Sequence, residues 1–359
     1  MPEGIYKKLA QRLDAIPNGF PATDSGVELK ILERIFTPQE AQLATIMRLT
    51  PEPAAEIAAR AQADPKEAEE TLRTMARQGL IRARKVEDRL VFGLIAFVVG
   101  IYENQLSRMD EELAALCEQY FQETGGSMMG ISPAVHRVIP IEQAISLDLE
   151  VFPYERAVEL LESARSWGVR KCICRVQKRL TGQGCDHEEE NCLVFAPVEH
   201  AFDNCQDERP ISKEESLAIL RQTEEAGLIH STANRLDQVF YICNCCTCCC
   251  GVMRGVAEWG NLDAVARSDF RVVVDTEICT GCETCVDRCQ FKALSVPEEV
   301  CVVDYGRCVG CGQCVSVCPM EALSLERRPE GELPEVPADE SDWMERRAKE
   351  RGIDVGEIL

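Results

Sequence analysis

Eight cysteines between positions 279 and 318 fall in two runs of identical spacing, and no other feature of this 359-residue chain limits its folding so severely. Cys279, Cys282, Cys285 and Cys289 form the first run; Cys308, Cys311, Cys314 and Cys318 form the second, which is followed by Pro319. Two-residue gaps let one tight loop present three sulfurs to a common centre, and thiolates are soft ligands suited to tetrahedral iron or zinc. The repeat extends past the cysteines. Shifting residues 272–296 by 29 positions lays them on 301–325, with Asp275 on Asp304, Gly281 on Gly310, and Ala293-Leu294-Ser295 on Ala322-Leu323-Ser324. A β-rich lead-in, Val272-Val273-Val274 and then Val302-Val303, precedes each loop.

This doubled C-x-x-C-x-x-C-x-x-x-C pattern resembles the two-cluster bacterial ferredoxin domain over roughly residues 270–327. The resemblance implies two pseudo-twofold βαβ halves holding two [4Fe-4S] clusters with crossed ligation. One cluster would take Cys279, Cys282, Cys285 and Cys318; the other would take Cys308, Cys311, Cys314 and Cys289. Gln290 stands where the family's first run carries proline, which implies looser surroundings for Cys289. The competing reading is a pair of zinc sites, which also use C-x-x-C pairs, but the doubled quadruplet favours iron.

A second constellation lies upstream. Cys172 and Cys174 open it, Cys185 and Cys192 follow, and Cys243, Cys245, Cys246, Cys248, Cys249 and Cys250 crowd into eight residues. Packing does not demand such crowding, and neighbouring cysteines bridge poorly as disulfides. Metal binding is the expected role, through one or more further iron–sulfur clusters whose ligand pairing the spacing leaves open. The run Cys249-Cys250-Gly251 resembles the sites of noncubane clusters in heterodisulfide-reductase-like subunits, although the paired module is absent. Arg170, Lys171, Arg175, Lys178 and Arg179 flank the first pair and either raise a cluster's potential or form a solvated helix face. His187 and His200 are further candidate ligands, with structural roles favoured. Cys301 and Cys117 read as small buried hydrophobes.

The N-terminal third is helical, with one β-ribbon. Apolar spacing predicts helices near residues 5–16, 31–35, 41–49 and 53–63, and Asp64-Pro65 opens another that Gly79 ends. Strands at 80–84 and 89–92 would flank Val86-Glu87-Asp88 as a wing, so residues 29–100 resemble a winged helix-turn-helix domain. The would-be recognition helix carries Lys66, Arg73 and Arg77 but also Glu67, Glu69 and Glu70, which favours protein docking or homodimerisation over DNA. Later, residues 153–167 read as an amphipathic helix closed by Gly168, Ser212 and Glu215 as a helix-opening capping box, and Ser341 as the cap of a short terminal helix.

The expected fold is α+β multidomain: a winged-helix-like α domain (1–123), a cysteine-rich α/β middle domain (124–269), a ferredoxin-like dicluster domain (270–327) and an acidic Pro-rich tail (328–359) with a short helix. The opening residues lack the apolar core of a signal peptide. With 21 cysteines in metal-ligand spacings, a reducing cytoplasm in an anaerobic cell is expected. The longest apolar run, residues 90–102, is shorter than the ~20 residues a bilayer needs and reads as a buried strand entering a core helix. A net charge of −22 opposes binding to nucleic acid and suits docking on a basic surface of a redox partner. Low-potential single-electron transfer to or from an oxidoreductase is therefore the leading expectation. A cluster-sensing transcription regulator and a catalytic middle cluster are the alternatives.

Overall fold

The computed structural model describes residues 3–146, 148–333, 335–354 and 356. It combines helices and strands in an α+β arrangement and divides into two compact units: residues 1–131 with 180–182 and 344–359, and residues 132–179 with 183–343.

The first unit begins with α1 (Glu3–Asp14), α2 (Val27–Ile35) and α3 (Pro38–Ile46). Thr37 caps α3 in a reciprocal box with Glu40, and Pro38 fills the first turn, where no amide donor is needed. After β1 (Glu52–Pro53) come α4 (Ala54–Ala61) and α5 (Pro65–Arg77). Asp64 caps α5 by accepting from the Lys66 and Glu67 amides, as the Asp-Pro pair predicts. Strands β2 (Arg82–Val86) and β3 (Arg89–Gly93) form an antiparallel hairpin, with β1 on the other side of β3. The apolar stretch that follows is not a helix. Val98 and Val99 are extended, the bond between them is cis, and Phe97 and Ile101 are buried. β-Branched residues beside Gly100 disfavour helix here, so the segment serves as irregular core. Phe97 lies 4.6 Å from Phe20 and meets Tyr120 of α6 (Glu111–Thr124) edge-on at 5.9 Å.

The second unit is built on a six-stranded antiparallel sheet. Its strands are β4 (His136–Ile139), β5 (Ser166–Lys171), β6 (Glu190–Ala196), β7 (Arg209–Ile211), β8 (Ile229–Ala233) and β9 (Tyr241–Cys245), in the order β4-β8-β9-β6-β5-β7. Helices α7 (Ala157–Glu162) and α9 (Lys213–Glu225) contribute Leu161 and Leu220 to a core with Val169, Leu193 and Ile242. The helix expected over 153–167 is thus short, and Trp167 and Gly168 belong to β5. A Cβ at Gly168 would sit 3.0 Å from Val194 and 3.1 Å from Phe202, so this glycine permits close strand packing and does not stop a helix. Ser212 caps α9 by accepting from the Glu215 amide, half of the expected capping box, while the Glu215 carboxylate pairs with Arg209. Helix α8 (Ile173–Leu180) follows β5, and α10 (Gly251–Ala257) follows β9 after a cysteine-filled turn.

The cysteine repeats form a small symmetric body in this unit. Strand β10 (Phe270–Val274) pairs with β13 (Leu323–Arg327), and β11 (Leu294–Ser295) pairs with β12 (Val302–Val303), while α11 (Thr284–Arg288) follows the first loop. Gly281 and Gly310 have positive φ, and a Cβ would press to 2.4 Å from the Glu299 carbonyl oxygen and 2.1 Å from that of Phe270. Only glycine permits those loops. The final helix, α12 (Glu340–Arg351), opens one residue before Ser341; the Asp339 carboxylate, not Ser341, accepts from the Asp342 amide at 3.0 Å.

Candidate metal centres

In the repeat body, the first three cysteines of one run meet the last cysteine of the other. Cys279, Cys282, Cys285 and Cys318 line one cavity, together with Gly281 and Cys301. The second set lies close by: Cys311, Cys289 and Cys308, together with Cys285 of the first run, act electrostatically on Cys314. Pseudo-symmetry extends to the sulfurs' hydrogen bonds. The Ala293 amide donates to Cys289 Sγ and the Ala322 amide to Cys318 Sγ, each at 3.3 Å. Amide donors aimed at thiolate sulfur stabilise negative charge there.

Proton affinities differ across the sets. Burial raises the thiol pKa of Cys285, Cys289 and Cys314 and pushes Cys311 up to about 12. Cys282 is exposed and is lowered by the Thr284 hydroxyl, 3.4 Å away. Buried thiols of this kind stay protonated near neutrality, so a soft cation must displace their protons on binding. The donor chemistry, the crossed arrangement and the shared cavity fit an iron–sulfur centre.

Gln290 does not loosen its surroundings. Its Oε1 accepts from the Thr247 amide at 2.8 Å, and its Nε2 donates to the Gly227 carbonyl. Arg288 donates to the Glu224 carbonyl at 2.7 Å, and Gln313 to the Leu228 carbonyl at 2.7 Å. Three side chains from the two cysteine loops therefore grip the turn between α9 and β8. A proline at 290 would supply neither hydrogen bond.

The upstream cysteines are gathered by the sheet. Leu193 pairs with Ile242 across β6 and β9, and continuing that register sets Cys192 opposite Cys243. Side-chain interactions that shift their proton affinities link six thiols in a ring: Cys172 with Cys192, then Cys243, Cys245, Cys250 and Cys174 in turn, and Cys174 with Cys172. Thiol donors from Cys174 and Cys192 hold Cys172 well below the ordinary thiol pKa. A separate group comprises Cys185, Cys246, Cys248 and Cys249, whose sulfurs all lie within 4.8 Å of one another and could hold a metal ion.

Sequence reasoning did not separate the flanking cations. Arg175 is buried at 2% exposure, donates to Asn191 Oδ1 at 2.7 Å and the Asn244 carbonyl at 2.8 Å, and faces Cys172 and Cys246. Its Nε, also buried, has no hydrogen-bond partner. Lys178 is buried as well, whereas Arg170 pairs with Glu208, and Lys171 and Arg179 pair with Glu189. Only the sheet register, which spacing does not carry, distinguishes them. His200 is exposed and pairs with Asp203 at 2.9 Å.

Residues 272–295 and 301–324 match the family described as 4Fe-4S binding domain. The two matches support a ferredoxin-like dicluster domain across residues 272–324, with iron–sulfur electron transfer as its general role. No curated protein and no solved structure matched the chain. Among the described residues, no helix is long and apolar enough to cross a membrane.

Proposed function

We propose that this protein relays single electrons at low potential to or from a partner oxidoreductase, as a carrier or as one subunit of a complex. Cys279, Cys282, Cys285 and Cys318 hold one [4Fe-4S] cluster, and Cys308, Cys311, Cys314 and Cys289 hold the other. The observation that carries this reading is the single cavity shared by three sulfurs of the first run and the fourth of the second. Such clusters supply reversible one-electron chemistry; the protein contributes burial, amide donors and charge, which set the potential. A further iron–sulfur cluster in the middle region is supported by the closed ring of thiols around Cys172 and Cys243.

The finer domain reading belongs to the same proposal. Helices α2 to α5 followed by the β2–β3 hairpin support a winged-helix-like domain within 1–123, joined in sequence to a cysteine-rich middle domain (124–269), the dicluster domain (270–327) and the acidic tail (328–359). Ion pairing of Arg73 with Glu69 on α5 offsets charge that a DNA reader would need. The domain therefore serves protein docking or homodimerisation, and the net charge of −22 favours a redox partner with a basic surface, met in a reducing cytoplasm.

The test is iron, sulfide and EPR analysis of the anaerobically purified chain. About eight irons with matching sulfide from the repeats, plus more from the middle region, are expected, with reduced-cluster EPR signals that Cys311→Ala diminishes. Colourless protein, or zinc in place of iron and sulfide at the repeats, would overturn the proposal.

A further inference from the structure

Four of the upstream cysteines stand out by their tight sulfur–sulfur spacing. Cys185 Sγ lies 3.4 Å from Cys249 Sγ and 4.0 Å from Cys246 Sγ, and Cys248 completes a group in which every pair is within 4.8 Å. One ion at the centre of a tetrahedron, with metal–sulfur bonds of about 2.3 Å, sets its sulfurs about 3.8 Å apart. A cubane instead gives each ligand sulfur its own corner iron, and the core holds the four sulfurs well beyond that spacing. The ferredoxin-like repeats act as an internal standard. Among the described residues, neither their cysteines nor the six thiols of the ring form a comparable group that could hold one ion.

We propose that Cys185, Cys246, Cys248 and Cys249 bind one tetrahedral metal ion, zinc or a lone iron, distinct from every iron–sulfur cluster of the chain. Cys246 and Cys249 are the two-residue-gap pair typical of single-ion sites, and Cys248 adds a third ligand from the same turn. Cys185 arrives from the loop after α8. Cys246 and Cys249 are buried against Leu228, with Cys174 and Cys185 packed alongside. Four thiolates around a divalent ion leave net negative charge, and the buried Arg175 guanidinium beside Cys246 offsets it. With all four positions filled by protein, the site is closed and structural. It ties the α8 loop to the turn before α10, the same turn whose Thr247 amide is held by Gln290.

This assignment does not depend on electron transfer, and its test reads separately from that of the clusters. The full chain and Cys248→Ser, which alters an exposed sulfur, are purified anaerobically and assayed for zinc, iron and acid-labile sulfide. The variant is expected to lose about one zinc or one iron per chain, with no loss of sulfide and unchanged EPR from the reduced repeats. Unaltered protein exchanged with Co²⁺ is expected to show the visible bands of a tetrahedral tetrathiolate. If Cys248→Ser fails to fold, X-ray absorption at the metal edge of the unaltered chain decides instead, with a four-sulfur shell and no neighbouring iron expected. Loss of several irons with equal sulfide, metal–metal scattering at that site, or no metal lost from a folded variant would each overturn the proposal.

Discussion

Single residues decide where charge can sit in this molecule. His136, buried on β4, has its imidazole pKa lowered to about 4 by burial, with Ser231 Oγ 3.5 Å from Nδ1. The unfolded chain protonates this group near pH 6.5 while the native state resists, so the unfolded state binds more protons between about pH 6.5 and 4. The neutral ring's contribution is complete above pH 6.5 and is lost as pH falls towards 4, by up to about 3 kcal/mol. His136→Gln should therefore show a smaller drop in melting temperature than the parent between pH 7 and 5. Parallel curves for the two proteins would show that another group controls acid stability. The repeat cysteines were readable at this scale because ligand spacing is local. Arg175 was not, since its burial comes from strands far apart in sequence.

At the scale of elements, caps and turns written in a few adjacent residues were recovered. Asp64-Pro65 opens α5, and Ser212 opens α9. Failures arose where a tertiary neighbour dictated the local role. Gly168 looks like a helix stop until Val194 and Phe202 are seen to leave no room for a side chain. Gln290 looks like a missing proline until Thr247 and Gly227 supply its partners. Gln290→Ala should cost about 1–3 kcal/mol in denaturant unfolding, because it removes two partly buried hydrogen bonds at once. A loss under 0.5 kcal/mol would mean that Arg288 and Gln313 hold the turn without it.

Across the whole molecule, α1 and most of α12 fall in the same unit. The acidic Pro-rich tail delivers residues 344–354 to the first unit. There Arg347 is fully buried, donating to the carbonyls of Pro17 at 2.9 Å and of Asn18 and Ile131, and burial lowers its pKa to about 9. Removing the guanidinium strands several buried acceptors. Arg347→Met should destabilise this unit by roughly 2–4 kcal/mol, read as an earlier transition in far-UV circular dichroism, while visible cluster absorbance melts as before. Simultaneous loss of both signals at the lower temperature would contradict that separation. A sequence rich in Pro and Glu gives no hint that one arginine will thread home, because the acceptors it satisfies are backbone atoms common to every residue.

Cys301 takes the repeat position of Val272 and is buried in the core as its sequence context suggests, and its sulfur also lies 3.6 Å from that of Cys285 and faces the same cavity. A proposed cluster there has a fifth thiol at arm's length. Were Cys285 replaced, the Cys301 thiol just before β12 would still stand beside the cavity. Knocking out one cysteine at a time would then under-report how much this pocket depends on its sulfur.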